Sequence, residues 1–306
     1  MTDDPPPTSS TRVTRVDDRL GLAVSRVGLS GRTLVTYARD HVTVRTPSKP
    51  DFRDGNTIDL EAVPAPEDLA AWVERFHDTI GILGVEHVQL RWETPLAADA
   101  PAEAPELDPT LAAAADEQGL RPFPLTVLLL DELQEPPRAP GDMVPVPPPA
   151  EASGGSVDRR WHSATVLYRY MEGEDPDDWR AADQAFIDWK VEVQRELALA
   201  ERCQVWLTMR HGGPVARLHV VHDEQGLAAV EDVVVHPVVR RHGIAAALTY
   251  QAVRTHLDVH VDDQPGSRVG IVAEPGTTAE RLYRRLGFRP HATVWTALRP
   301  APNATD

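Results

Sequence analysis

The stretch from Val230 to Leu257, VEDVVVHPVVRRHGIAAALTYQAVRTHL, constrains the fold of this chain more than any other. Its β-branched run Val233-Val234-Val235 is long enough for a buried strand. A short basic turn follows, Arg240-Arg241-His242-Gly243-Ile244-Ala245. Then Ile244, Ala247, Leu248, Ala252 and Leu257 recur at roughly helical spacing. A strand feeding a glycine-containing turn that opens a helix makes an anion site. The first helical N–H groups have no intrahelical partner, and the macrodipole is positive there. Gly243 lets a phosphate approach the backbone, Ala245 leaves room beside it, and Arg240 and Arg241 add positive charge.

Downstream, Val269 to Leu298 reads VGIVAEPGTTAERLYRRLGFRPHATVWTAL. Val269, Ile271 and Val272 predict a strand. Thr277 or Thr278 caps a short helix that stops at Gly287. Phe288 to Leu298 then predicts a closing strand with Ala292, Val294, Thr296 and Leu298 on one face. Together the two segments resemble the GNAT acetyltransferase family. Arg240, Gly243 and Ala245 match its Arg/Gln-x-x-Gly-x-Gly/Ala turn, and Ala279, Leu282, Tyr283, Gly287 and Phe288 match its Ala-x-x-Leu-Tyr-x-x-x-Gly-Phe motif. The resemblance covers roughly the last half of the chain. One position departs: the family often carries Asn where this chain has Gly276, with Thr277 beside it as a possible substitute.

The chain has 306 residues, which predicts two domains. Residues 1–17 are acidic and Pro-rich, carry no secretory signal, and predict a disordered tail. The Pro-rich run at 134–156 predicts a semi-rigid linker or an extended crossing segment. It separates a lobe at 18–133 from a catalytic GNAT domain at 157–306. In the second half, Trp161 to Tyr170 predicts a first strand, and Asp177 and Asp178 precede helices carrying Trp179, Phe186, Trp189, Val193 and Leu197. Val205–Met209 and Val215–Val221 predict a hairpin, and Leu227–Val235 the next strand. The first half predicts an amphipathic helix at Pro64–Ile80, a strand at Val85–Trp92, a short helix at Leu111–Gly119 and a strand at Pro124–Leu130. That is the order of elements in 243–298 without either motif, so a degenerate second GNAT lobe is expected. DFRDGN, Asp51 to Asn56, is a turn by composition. The expected fold is therefore α/β (an α+β mixed sheet): tandem GNAT-like lobes, each a mixed, mostly antiparallel sheet flanked by helices.

Net charge is −16, which argues against a nucleic-acid partner. No apolar run is long enough to span a membrane. The single cysteine, Cys203, excludes an internal disulfide and fits a reducing cytoplasm. No Cys/His cluster has metal-ligand spacing, so no metal is expected.

Acyl transfer needs a held thioester, a base for the amine, a donor to the oxyanion and a proton for the thiolate. The resemblance implies acetyl-CoA as co-substrate, with Arg240, Arg241, His242, Gly243, Ile244, Ala245 and Ala246 at its pyrophosphate. It implies that the backbone of Val233, Val234 and Val235 pairs with pantetheine, that this strand splays from its neighbour, and that Tyr283 protonates the thiolate. A backbone N–H near Val234 supplies the oxyanion donor. The base is Glu231 by strand parity, or Asp232 if a bulge reverses that parity, with His236 as a third candidate. The expected activity is direct N-acetylation of a small-molecule or peptide amine in a ternary complex, by a monomer or homodimer. Two readings stay open beside it: a non-catalytic acyl-CoA-binding or sensory module, and an acyltransferase with another acyl group or a hydroxyl acceptor.

Overall fold

The computed structural model describes residues 19–29, 31–103, 105–137, 142–149, 156–168, 181–260 and 268–302. The expected tail at 1–17 and the residues Asp177, Asp178 and Trp179 lie outside them.

The first lobe comprises α1 (Leu20–Val27), β1 (Leu34–Tyr37), β2 (His41–Arg45), β3 (Thr57–Leu60), α2 (Leu69–Thr79), β4 (Val88–Pro95), α3 (Pro109–Glu117) and β5 (Arg121–Leu130). The second comprises β6 (Asp142–Pro145), α4 (Ser156–Leu167), α5 (Ala181–Leu199), β7 (Cys203–Arg210), β8 (Gly213–His222), β9 (Leu227–Val235), α6 (Ile244–His260), β10 (Arg268–Ala273), α7 (Thr278–Arg285) and β11 (Phe288–Arg299). The two lobes do not build separate sheets. Among the described residues, eleven strands form one mixed sheet in the order β1-β2-β3-β4-β11-β5-β10-β9-β8-β7-β6.

The centre of that sheet is a reciprocal exchange. β5 lies between β10 and β11, and β11 lies between β4 and β5, each pairing antiparallel with both neighbours. The final strand of each lobe thus completes the sheet of the other. The parallel pairs, β3–β4 and β9–β10, sit on either side of the exchange and are joined by α2 and α6 as crossovers. The repeated order of elements legible in the sequence is this repetition.

Burial explains the helices. α2 places Leu69, Val73 and Phe76 inward at i, i+4 and i+7, with Ile80 a turn further on. Each such side chain contributes about 1.5–3 kcal/mol by leaving water. The expected strand at Trp161–Tyr170 is instead helix α4. Trp161, Ala164, Leu167 and Tyr168 are buried at i, i+3, i+6 and i+7, a helical spacing whose apolar density imitates a strand. The Pro-rich segment contributes β6, which pairs with β7, so this stretch crosses the molecule as a strand.

α1, α4 and α5 pack with one face of the sheet, sharing a core of Leu22, Val24, Trp161, Leu167, Leu197 and Ala229. α6 and α7 pack on the opposite face with Leu248, Val253, Tyr283 and Phe288. α1 contacts β4, β11, β5, β10 and β9 and so crosses the seam between the lobes. Its start is held by Glu93 of β4, whose Oε2 accepts from the Leu22 N–H at 2.8 Å.

Candidate functional site

β9 and β10 pair from Arg268↔Leu227 only as far as Ile271↔Val230. β9 continues to Val235 against β8 alone, and β10 continues to Ala273 against β5. Residues 231–235 therefore turn a free backbone edge toward the gap between two diverging strands. The ladder to β8 slips between His219↔Glu231 and Arg217↔Val234, so Asp232 and Val233 stand opposite Leu218 alone. Asp232 has φ 51°, the left-handed conformation of a bulge. His236 N–H donates to Val215 O at 2.9 Å. By the two-residue alternation of an antiparallel ladder, the Val234 amide then faces β8 and the Val235 amide faces the open edge. Val235 O accordingly accepts from Arg240 Nε at 3.1 Å.

A cleft of about 790 Å³ opens from this gap. Its walls include Val230, Glu231, Asp232 and Val233 of β9, Ile271 and Val272 of β10, and Tyr283 of α7. Gly28 and Leu29, at the end of α1, and Phe52, Arg53 and Asp54 complete it from the first lobe. Beyond the strand, α6 begins at Ile244, and the Ala247 N–H is the first seen to reach back, to Gly243 O at 3.1 Å. The amides of Ile244, Ala245 and Ala246 head the helix, with no helical turn before them. Gly243 has φ 80° and Arg241 has φ 67°, and Arg240, Arg241, His242 and Gly243 are all exposed. Arg240 is anchored through its Nε to the strand end, and His242 Nδ1 lies 2.9 Å from Arg240 O.

The two adjacent carboxylates differ sharply. The Asp232 side chain is 8% exposed; Lys190 Nζ lies 2.9 Å from it, and the Tyr168 hydroxyl and Gln194 Nε2 donate to it. Burial opposes its charge, but Lys190, His219, Arg217 and the Tyr168 hydroxyl outweigh that and hold its carboxyl far below the usual carboxylate range. Burial would lower the Lys190 ammonium, and Asp232 reverses that and holds it protonated. Arg217, fully buried, stacks its guanidinium 3.7 Å from the Tyr168 ring centroid and donates to Ala164 O and Gln194 Oε1. Asp232 is thus the counter-ion of a buried network. The bulge is present, and it turns the Asp232 side chain to Lys190 and Tyr168.

The Glu231 side chain is 29% exposed and borders the cleft, with His219 Nε2 at 3.4 Å. Its carboxylate lies so close to Gly28 that a Cβ there would overlap it. A side chain at this position would push the Glu231 carboxylate aside. His219 is 3% exposed and sits between the two carboxylates, with Nδ1 3.5 Å from Asp232. His236, the third candidate, caps the turn after β9 by accepting from the Val238 N–H at 3.3 Å.

Tyr283 is 6% exposed, meets Phe288 edge-on at 6.3 Å, and also borders the cleft. Burial pushes its phenol up to about 12. At Gly276, φ is 75° and a Cβ would stand 3.2 Å from Ala102 O of the first lobe. The Gly276 amide donates to Glu280 Oε2 at 2.7 Å, and Thr277 caps α7, so neither replaces a side-chain amide in the cleft. Cys203 is buried in the core, where burial pushes its thiol up and leaves it a poor nucleophile.

Residues 201–290 match the family model described as an acetyltransferase (GNAT) domain. The chain carries a GNAT domain. No curated protein matches the sequence. Most of the chain is similar in fold to solved structures, among them the following three. A functionally unknown conserved protein from Staphylococcus epidermidis is 14% identical, with TM-score 0.63, covering 89% of this chain and 95% of that one. A GCN5-related N-acetyltransferase from Kribbella flavida is 18% identical, with TM-score 0.52, covering 93% and 96%. A third, from Sphaerobacter thermophilus, is 17% identical, with TM-score 0.50, covering 89% and 84%. These likenesses span both lobes, so the first lobe belongs to the shared fold although the GNAT model matches only the second. Among the described residues no His/Cys/Asp/Glu group could hold a metal, and no helix is long and apolar enough to cross a membrane.

The sequence missed α1 and the turn carrying Phe52 as walls of this cleft. DFRDGN was legible only as a turn.

Proposed function

We propose that this protein is an acetyl-CoA-dependent N-acetyltransferase whose working site is the cleft between β9 and β10. One observation carries the reading: strand pairing stops at Val230↔Ile271 and opens a backbone edge onto a cleft that holds both an accessible carboxylate and a buried phenol. Pantetheine amides add to that edge as a strand would. The pyrophosphate takes the amides at the head of α6, beside Arg240 and Arg241. The amine nitrogen forms a bond to the acetyl carbonyl carbon and gives up its proton to Glu231, directly or through water. The Val235 N–H, which faces the open edge, donates to the oxyanion. The C–S bond then breaks, and the thiolate takes the proton of Tyr283, a phenol that is protonated at neutral pH. The product is the N-acetyl amine and free CoA. Cys203 forms no acyl intermediate, because it lies in the core.

The test is a thermal-shift series with acetyl-CoA, longer acyl-CoAs and CoA, followed by a screen of primary amines with acetyl-CoA. The reading expects stabilisation by acetyl-CoA and CoA-release with at least one amine. Stabilisation without release from any amine would favour a binding or sensory module. Turnover only with a longer acyl-CoA would change the acyl group.

A further inference from the structure

Beside Glu231 the cleft is walled by three aromatic rings drawn from both lobes. Phe52 lies between β2 and β3 in the first lobe, and Phe186 and Trp189 share a face of α5 in the second. The Phe52 centroid is 5.6 Å from Phe186 and 5.1 Å from Trp189, and the latter two stack at 6.2 Å with 22° between their planes. All three are half-buried. Phe52 and Phe186 line the large cleft, and Phe52 and Trp189 line a small annex that Glu231 and Gly28 also border. Trp189 Nε1 is buried without a hydrogen-bond partner. Clustered ring surface facing an open cleft is poorly solvated, and an aromatic ligand slid against it gains both burial and ring contacts.

The charges at this wall favour a cation. Lys190 is taken by Asp232, Arg91 by Asp59, Lys49 by Asp51, and Arg32 of the annex by Glu196. Of the rest, Asp54 and Glu231 are negative and Arg53 is positive. Lys49 Nζ already stands 5.9 Å over the Phe186 ring, a geometry in which an aromatic face receives an ammonium.

We propose that this wall is the acceptor subsite, and that it takes a primary amine carried on an aromatic body. The ring lies against Phe52, Phe186 and Trp189, and the amino group points to Glu231. The inference rests on the transferase reading and names its substrate class. It also gives the Asp51–Asn56 turn a role: the first lobe selects the acceptor.

The test uses the full chain, acetyl-CoA and two amines, 2-phenylethylamine and cadaverine. We expect kcat/KM to favour 2-phenylethylamine by about tenfold or more, Phe52→Ala to remove that preference, and Phe52→Tyr to retain it. An absent preference, or one that Phe52→Ala leaves intact, overturns the subsite while the transferase reading stands. If neither amine is acetylated, the wider amine screen decides the transferase reading, and calorimetry with 2-phenylethylamine decides the subsite. Binding that weakens about tenfold in Phe52→Ala upholds it, and no binding overturns it.

Discussion

Two neighbouring carboxylates, Glu231 and Asp232, show how far the environment decides a residue's role. Asp232 is buried against Lys190, Tyr168 and Gln194. Glu231 is partly exposed at the cleft. Asp232→Asn leaves Lys190 without its counter-charge and should cost on the order of 3 kcal/mol at pH 7, read by urea unfolding. The sign with pH follows from the depressed carboxyl. Its contribution is fully present above the unfolded value of about 3.9 and is lost as pH falls below that toward the folded value, so wild type and variant should converge in acid. A gap that persists undiminished in acid would contradict this. Glu231→Gln should leave stability nearly unchanged and slow transfer most at low pH, where the enzyme must deprotonate the ammonium. A deficit that is flat with pH would remove Glu231 as the base. Both residues were legible as candidates, because acidic residues beside an apolar strand are easily seen. Which one is free was not, since Lys190 and Tyr168 reach Asp232 from 42 and 64 residues away.

At the scale of elements, what the sequence made legible was local. The β9–turn–α6 unit and the α7–β11 unit carry their signals within about thirty residues, in periodicity, a capping Thr277 and glycines with positive φ. The exchange of β5 and β11 has no such signal. Pairing between Arg121–Leu130 and strands more than a hundred residues later is set by the shape of the assembled sheet. α1 and β1 to β3 went unread for a related reason: they are short, and β1 is exposed throughout. α4 was misread because Trp161, Ala164 and Leu167 crowd apolar residues into few positions. The exchange carries its own prediction. A fragment of residues 134–306 lacks both β4 and β5, and so loses both neighbours of β11 and one of the two neighbours of β10. It should remain insoluble or unfolded by circular dichroism, and co-expression with residues 1–133 should restore a soluble complex. A folded, soluble 134–306 fragment would show that the shared strand is dispensable.

At the scale of the molecule, the two lobes have diverged around a repeated topology. The second keeps the strand splay and the basic turn at the head of α6. In the first, the corresponding helix α2 is preceded by Pro66, Glu67 and Asp68 in a 3-10 turn, and acidic residues there repel a pyrophosphate. The first lobe instead supplies β5 to the shared sheet, α1 behind Glu231, and the turn with Phe52 at the cleft. One molecule should then hold one cofactor, although it contains the fold twice. Calorimetric titration of the intact chain with acetyl-CoA tests this most directly, alongside Gly243→Glu, which sets a negative charge at the head of α6. The account predicts one site per chain, abolished in a variant that remains folded. Two sites per chain, or normal binding by Gly243→Glu, would contradict it.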